Sequence, residues 1–380
     1  MKRLSLRDYS MAGALAMMVG FFAVASPAFL SARNLSMLAI ELSITGVMAL
    51  GMLLVILPGQ IDLSVGSGVG LLGGVASVLV FEKGWPAPLS MLAATAGALV
   101  IWRLMGKVIV EQKVPAFIMT LGGLLVFKGL HWLVIHNATI PIVVGGGTNA
   151  YSLLTTYYLP PAVGYVLAAL IAAFAAKGEL AARRRRRQLG LPEGDGELAF
   201  ARTFILLQLL VLFAAITGAY RGVPLPALIL GVIAFAVHVL TQHTPFGRHL
   251  YAIGGNEEAA FVSGIPVQRV VVGAYTLMGA VVALTGFLQT AYSGASTSTV
   301  GGLMELDAVA ACVIGGASLR GGRGTVPGVI FGALLMATVL NGMTLMAVSP
   351  EIKFIARGAV LTLAVWMDVR LARVKDGASP

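Results

Sequence analysis

Apolar runs close to membrane length follow one another almost without interruption along this chain of 380 residues. A helix needs roughly 20 apolar residues to cross the hydrocarbon core. Twelve stretches qualify or nearly so: 11–30, 36–57, 63–81, 86–102, 115–135, 162–176, 203–220, 223–240, 270–292, 306–319, 325–346 and 352–369. Several are short or broken by Gly and Pro, which leaves the count at ten to twelve. The largest polar stretches, 136–161, 177–202 and 241–269, are too short for a soluble domain. The expected fold is therefore all-α and polytopic, one transmembrane domain over 1–380. Composition agrees, with 58% hydrophobic and 11% charged residues against about 45–50% and about 25% in soluble domains. A soluble enzyme and a disordered chain are excluded. The run lengths suit helices, not the short alternating strands of a barrel.

The formal charge of +10 would suggest nucleic acid in a soluble protein. In a membrane protein, surplus Lys and Arg mark cytoplasmic loops. With the N-terminus inside and twelve alternating spans, the inner side collects Lys2, Arg3, Arg7, Arg103, Lys107, Lys113, Lys177, Arg183 to Arg187, Arg202, Arg248, Arg269, Arg320, Arg323, Arg370, Arg373 and Lys375. That is 20 of the 26 basic residues, so both termini are expected in the cytoplasm of an inner-membrane protein. The arginine run reads as an anchor against membrane lipid, not as a nucleic-acid site. Ala23-Val24-Ala25 resembles a signal-peptide cleavage site, but an uncleaved first span is expected. Cys312 is the single cysteine, so no intrachain disulfide forms.

Catalytic and cofactor motifs are missing. The five histidines, His131, His136, His238, His243 and His249, have no metal-ligand spacing and lie near predicted span ends. There is no nucleophile elbow and no G-x-x-x-x-G-K-[ST] loop, so no nucleotide site, cofactor or metal is expected. Gly68, Gly70 and Gly73 fit G-x-G-x-x-G, yet they sit inside an apolar run where small residues let helices approach closely.

Charges within or beside spans cost roughly 2.5–3.5 kcal/mol at a helix centre, so each needs a reason. Glu41 falls inside the second span, with Arg357 a conceivable partner. Asp62 follows the breaker Pro58-Gly59 and is placed to cap the next helix. Glu305 and Asp307 open the tenth span, where a helix N-terminus favours carboxylates. Capping and a part in translocation both remain open for Asp62, Glu305 and Asp307.

Within 241–269, Asn256 is a favoured N-cap, Glu257 and Glu258 suit the first turn, Gly264 a C′ position and Pro266 a stop. The helix so bounded spans about seven residues, below the roughly 12–15 at which isolated helices become stable. It needs something to pack against: a partner protein, with Phe261 and Val262 as anchors, or the membrane surface.

These residues resemble a known family. Gly247-Arg248, Tyr251 to Asn256, Ala259-Ala260 and Ser263-Gly264-Ile265 look like the cytoplasmic loop of monosaccharide ABC importer permeases. Gly59 to Ser67 (GQIDLSVGS) and Glu305 to Leu319, followed by Gly321, Gly322 and Gly324, resemble two further signatures, in family order. Tyr220 to Pro224, Ala364 to Asp368 and the basic insertion at 177–202 resemble the xylose branch most. The resemblance implies two cytoplasmic ATPases docked through Gly254, Asn256, Glu257, Glu258, Ala259, Ala260, Phe261, Ser263 and Gly264. It also implies a second permease copy and a periplasmic sugar-binding protein. The 136–161 loop carries no family signature.

Asp62, Ser64, Ser67, Glu305, Asp307 and Asn341 are the pathway candidates. Hydroxyls and amides at Ser64, Ser67, Thr290, Ser293 and Asn341 suit a neutral sugar, although such groups also bond neighbouring helices. A lipid-linked sugar transferase would show clustered acidic or histidine residues. An ion-coupled transporter would need mid-span carboxylates beyond Glu41. A branched-chain amino acid permease stays within the same class.

Overall fold

The computed structural model describes the backbone of residues 6–190 and 196–375, with side chains for 12–190, 196–197, 199–201 and 203–366. Lys2, Arg3, Arg7, Arg202, Met367, Asp368, Arg370, Arg373 and Lys375 lie outside the described side chains. The chain forms helices α1 (Leu6–Ala25), α2 (Ala32–Ile56), α3 (Val65–Phe81), α4 (Ala87–Glu111) and α5 (Ala116–Val134). Next come β1 (Ile140–Pro141), α6 (Ala150–Thr156), β2 (Tyr158–Leu159), α7 (Pro161–Gln188), α8 (Gly196–Gly218), β3 (Val223–Pro224) and α9 (Leu225–His243). The remainder is α10 (Pro245–Gly255), α11 (Glu257–Val262), α12 (Val267–Ser293), β4 (Ala295–Ser296), α13 (Met304–Ile314), α14 (Val326–Leu345) and α15 (Pro350–Lys375).

Eight described helices are long and apolar enough to cross a membrane, and Ala12–Ala25 and Val65–Phe81 are shorter apolar helices. The core is built on α2, whose residues from Val47 to Ile56 are buried all round, with α9, α12, α13 and α14 against it. In α7 only Gly164, Ala168 and Ala172 are buried, so α7 and α8 form an outer pair whose apolar sides face outward.

The glycines of α3 explain how so many helices meet it. A Cβ on Gly68 would strike the Trp102 ring, and one on Gly70 would meet His131 and the Val300 carbonyl. On Gly73 it would meet Thr290 and the Gly286 carbonyl. The G-x-G-x-x-G pattern is therefore a packing face for α4, α5 and α12.

Four expectations change. The predicted span 306–319 is α13, 11 residues or about 16 Å long, half the core thickness; Gly316, at φ +96°, ends it and a loop completes the distance. The basic stretch 177–202 is mostly helix: α7 runs through the arginines to Gln188, because Ala, Leu, Glu and Arg favour helix and no proline interrupts them. Stretch 136–161 is embedded in part, through Ile140, Ile142, Tyr151, Ser152 and Thr155, while 136–139 and 144–148 stay exposed. β1 pairs antiparallel with β4, and Tyr151 of α6 is fully buried, its hydroxyl donating to the Gly73 carbonyl at 3.1 Å. The Asn149–Ser152 capping box was the sequence signal for α6. Finally His131, placed by sequence near a span end, lies in the core: it is 2% exposed, with Nε2 3.1 Å from Ser296 Oγ.

Candidate functional site

The candidate residues gather toward two ends of the bundle. At one, α10 starts on an N-cap from Thr244, whose hydroxyl accepts from the Gly247 N–H at 3.2 Å. Leu250 and Ile253 sink into the core, at 0% and 2% exposure. A Cβ on Gly254 would land on the Leu57 carbonyl and the Gly322 nitrogen, so α10 lies directly on the end of α2 and the 315–325 loop. The Gly322 N–H donates to the same Leu57 carbonyl at 2.9 Å, and the Tyr251 hydroxyl donates to the Gly324 carbonyl at 2.7 Å. Burial pushes the Tyr251 phenol above its usual range, which keeps that donor protonated.

From this platform α11 projects. Asn256 Oδ1 accepts from the Ala259 N–H at 2.8 Å, the expected cap, and Gly264 adopts φ +81° at the far end. Ala260 packs inward at 4% exposure, whereas Phe261 and Val262 are 72% and 85% exposed. Glu257, Glu258, Ala259 and Ser263 are exposed as well. An open groove runs beside them, bordered by Val110, Lys113, Ile265 and Arg269. Of the proposed docking residues, Gly254 and Ala260 hold the platform together, and the rest present a surface. The helix α10 was missed in the sequence, although Thr244-Pro245 carries a cap and an N1 proline.

The pathway candidates separate into three places. Asp62 is fully buried near the start of α3. Its Oδ1 accepts from the Ser64 N–H at 2.9 Å and from the Ser64 hydroxyl at 2.6 Å, while Oδ2 accepts from Trp102 Nε1 at 2.7 Å. Asp62 therefore closes a local turn; Ser64, not Asp62, is the N-cap of α3. Glu305, 7% exposed, lies against Gly66, and Ser67 is half-buried on the same helix as Gly66.

Asp307 and Glu41 meet at the opposite end, around a cavity of about 320 Å³ walled by α2, α12, α13, α14 and α15. Glu41 accepts from the Tyr292 hydroxyl at 2.9 Å and from Asn341 Nδ2 at 3.0 Å, and Asn341 in turn accepts from Asn34 at 2.9 Å. Arg357 does not partner Glu41. Its Nη2 lies 3.3 Å from Asp307 Oδ2, because the first turn of α13 holds Asp307 toward α15.

The stretch of sequence that builds the half-length helix, the capped helical stub and the polar cavity also matches a known family. The family model described as the permease component of branched-chain amino acid transport systems matches residues 34–365. The chain belongs to this permease family. The permease is 40% identical over 370 residues to the xylose transport system permease protein XylH of Escherichia coli strain K12, covering 97% of the permease and 93% of that protein. With XylH of Haemophilus influenzae it shares 40% identity over 373 residues, covering 97% of each. The ribose import permease protein RbsC of Bacillus subtilis strain 168 is 33% identical over 355 residues, 93% of the permease and 90% of its own chain. No solved structure matches the permease. It is a multi-pass membrane protein and a transport subunit, not an enzyme.

Proposed function

We propose that the permease is the membrane subunit of an ATP-driven importer for a neutral monosaccharide, D-xylose first among candidates, in the bacterial inner membrane. The observation that carries this reading is α11: a six-residue helix capped at both ends on a buried platform, holding Phe261 and Val262 out in the open. Such a stub supplies a docking surface and no chemistry, which fits a chain without a nucleotide motif. The xylose and ribose names of near-full-length relatives support the substrate class.

Arg103, Lys107, Lys113, Arg248, Arg269, Arg320 and Arg323 lie toward the α10–α11 end, so the positive-inside rule assigns that end, and both termini, to the cytoplasm. ATPases would press on α11 from there, aided by Glu257 and Glu258, and α10 would pass the load to Leu57 and the 315–325 loop. A sugar-binding protein would dock at the other end, where β1, β4 and α6 lie. A second copy would complete the pathway, which we assign past Asp307 and Asn341, with Ser67 and Glu305 deeper; Asp62 and Ser64 serve the fold.

Co-expression with the two soluble subunits tests the assignment. Phe261→Ala with Glu258→Ala removes an exposed anchor of the kind that contributes 2 kcal/mol or more at interfaces. ATPase co-purification should fall at least about tenfold while the permease still inserts. Normal co-purification would remove α11 as the docking site. Proteoliposomes of the assembly should import D-xylose and not L-leucine; the reverse preference would transfer the permease to amino acids.

A further inference from the structure

The cavity between α2, α12, α13, α14 and α15 holds two polar groups with nothing to bond. Asp307 is 5% exposed, yet only its Oδ2 meets Arg357, and Asp307 Oδ1 has no hydrogen-bond partner. Arg357 Nε, on the same cavity, has none either. Buried polar atoms are seldom left so, since each loses its hydration without replacement. Here an acceptor and a donor go unpaired within one ion pair, both closed off from solvent, although the two residues line the cavity. Across from them stands Glu41, with Gln289 and Thr299 on the same lining. Ser293 and Thr299 are exposed, which opens the cavity outward at the end remote from α11.

The charges limit what can enter. Glu41 and Asp307 are balanced by Arg357 on the lining and by Lys353, which donates to the lining residue Thr344 at 3.1 Å. Two of each sign leave no net charge, so an anionic sugar derivative would enter uncompensated. Adjacent hydroxyls of a neutral sugar each donate and accept, which matches a carboxylate oxygen and a guanidinium N–H that both lack a partner. The volume, about 320 Å³, stands at the bottom of the range for ligand pockets and suits one monosaccharide.

We propose that this cavity is a binding stop for a neutral monosaccharide within the permease itself, with the unpaired atoms of Asp307 and Arg357 turning to receive adjacent hydroxyls. The inference rests on the sugar-import reading and adds that the permease, not only a soluble binding protein, contacts the sugar specifically.

The full-length permease in nanodiscs, with no other subunit, is titrated with D-xylose under saturation-transfer NMR, and with D-xylonate as the anionic control. Saturable transfer to D-xylose and none to D-xylonate is expected. Asp307→Asn, which keeps shape and a bond to Arg357, and Gln289→Leu, which leaves the ion pair intact, should each weaken D-xylose binding at least about tenfold. No transfer to the wild-type permease overturns the proposal, as does transfer unchanged in both variants or equal for the two probes. The same nanodiscs are then given the ATPase and the loaded binding protein. ATP hydrolysis that responds to D-xylose without any transfer signal sinks the cavity site alone; no response from any sugar sinks the import reading.

Discussion

Gly254→Ala should uncouple and destabilise the permease, whereas Gly255→Ala, one residue on, should do almost nothing. A methyl group at 254 falls on the Leu57 carbonyl oxygen and the Gly322 nitrogen. Both are backbone atoms that no rotamer change can move. Overpacking typically costs about 1–3 kcal/mol when side chains can shift, and a backbone obstacle places this variant at or above that range. The Cβ of Gly255 meets nothing within 4 Å, and Ala is the better helix former by up to about 1 kcal/mol. Thermal unfolding of the two variants in nanodiscs measures the difference. Reconstituted with ATPase and binding protein, Gly254→Ala should also lose most sugar-stimulated ATP hydrolysis, because α10 joins α11 to the end of α2. Equal stability and coupling in the two variants would mean that α10 does not rest on that platform.

The pair also shows what could be read from sequence. The length of apolar runs found most of the bundle, and local chemistry found α11: Asn256 caps it and Gly264 ends it as expected. Gly254 was assigned to docking for its place in a motif, and only the approach of Leu57 and Gly322, far away in the chain, gives it a different role. Asp307 likewise looked like a helix-end carboxylate, which it is, but its partner lies 50 residues on, and nothing local selects Arg357 over other cations. The tenth span was overlong because an apolar run continues through Gly315 and Gly316, and hydropathy does not register where the helix stops. The same blindness applies to α6, whose burial depends on a pocket made by α3 and α12. Long-range contacts, not composition, decided each of these cases.

Trp102→Ala should have the largest effect on stability, and Trp102→Phe shows why Asp62 is tolerated. Trp102 is the largest fully buried side chain, its ring 5.1 Å from that of Phe127 and set against Gly68 and Gly279. Truncating a buried aromatic costs about 3–5 kcal/mol. A bilayer does not relieve that loss, since helices there are held by packing contacts rather than by exclusion of water. Trp102→Phe keeps most of the ring and deletes the donor to Asp62 Oδ2, at a cost of about 1–3 kcal/mol for a buried acceptor left open. Asp62→Asn, which carries less negative charge, should cost less in the Trp102→Phe background than alone, so the double-mutant cycle should return a coupling of about 0.5–3 kcal/mol. Denaturation midpoints in detergent measure each corner of the cycle. If Asp62 serves only the fold, D-xylose import per folded Trp102→Phe molecule stays near wild type. Import that collapses while the midpoint holds would instead put Asp62 on the path of the sugar, and the closed Asp62–Ser64–Trp102 cluster would then be a gate that has to open.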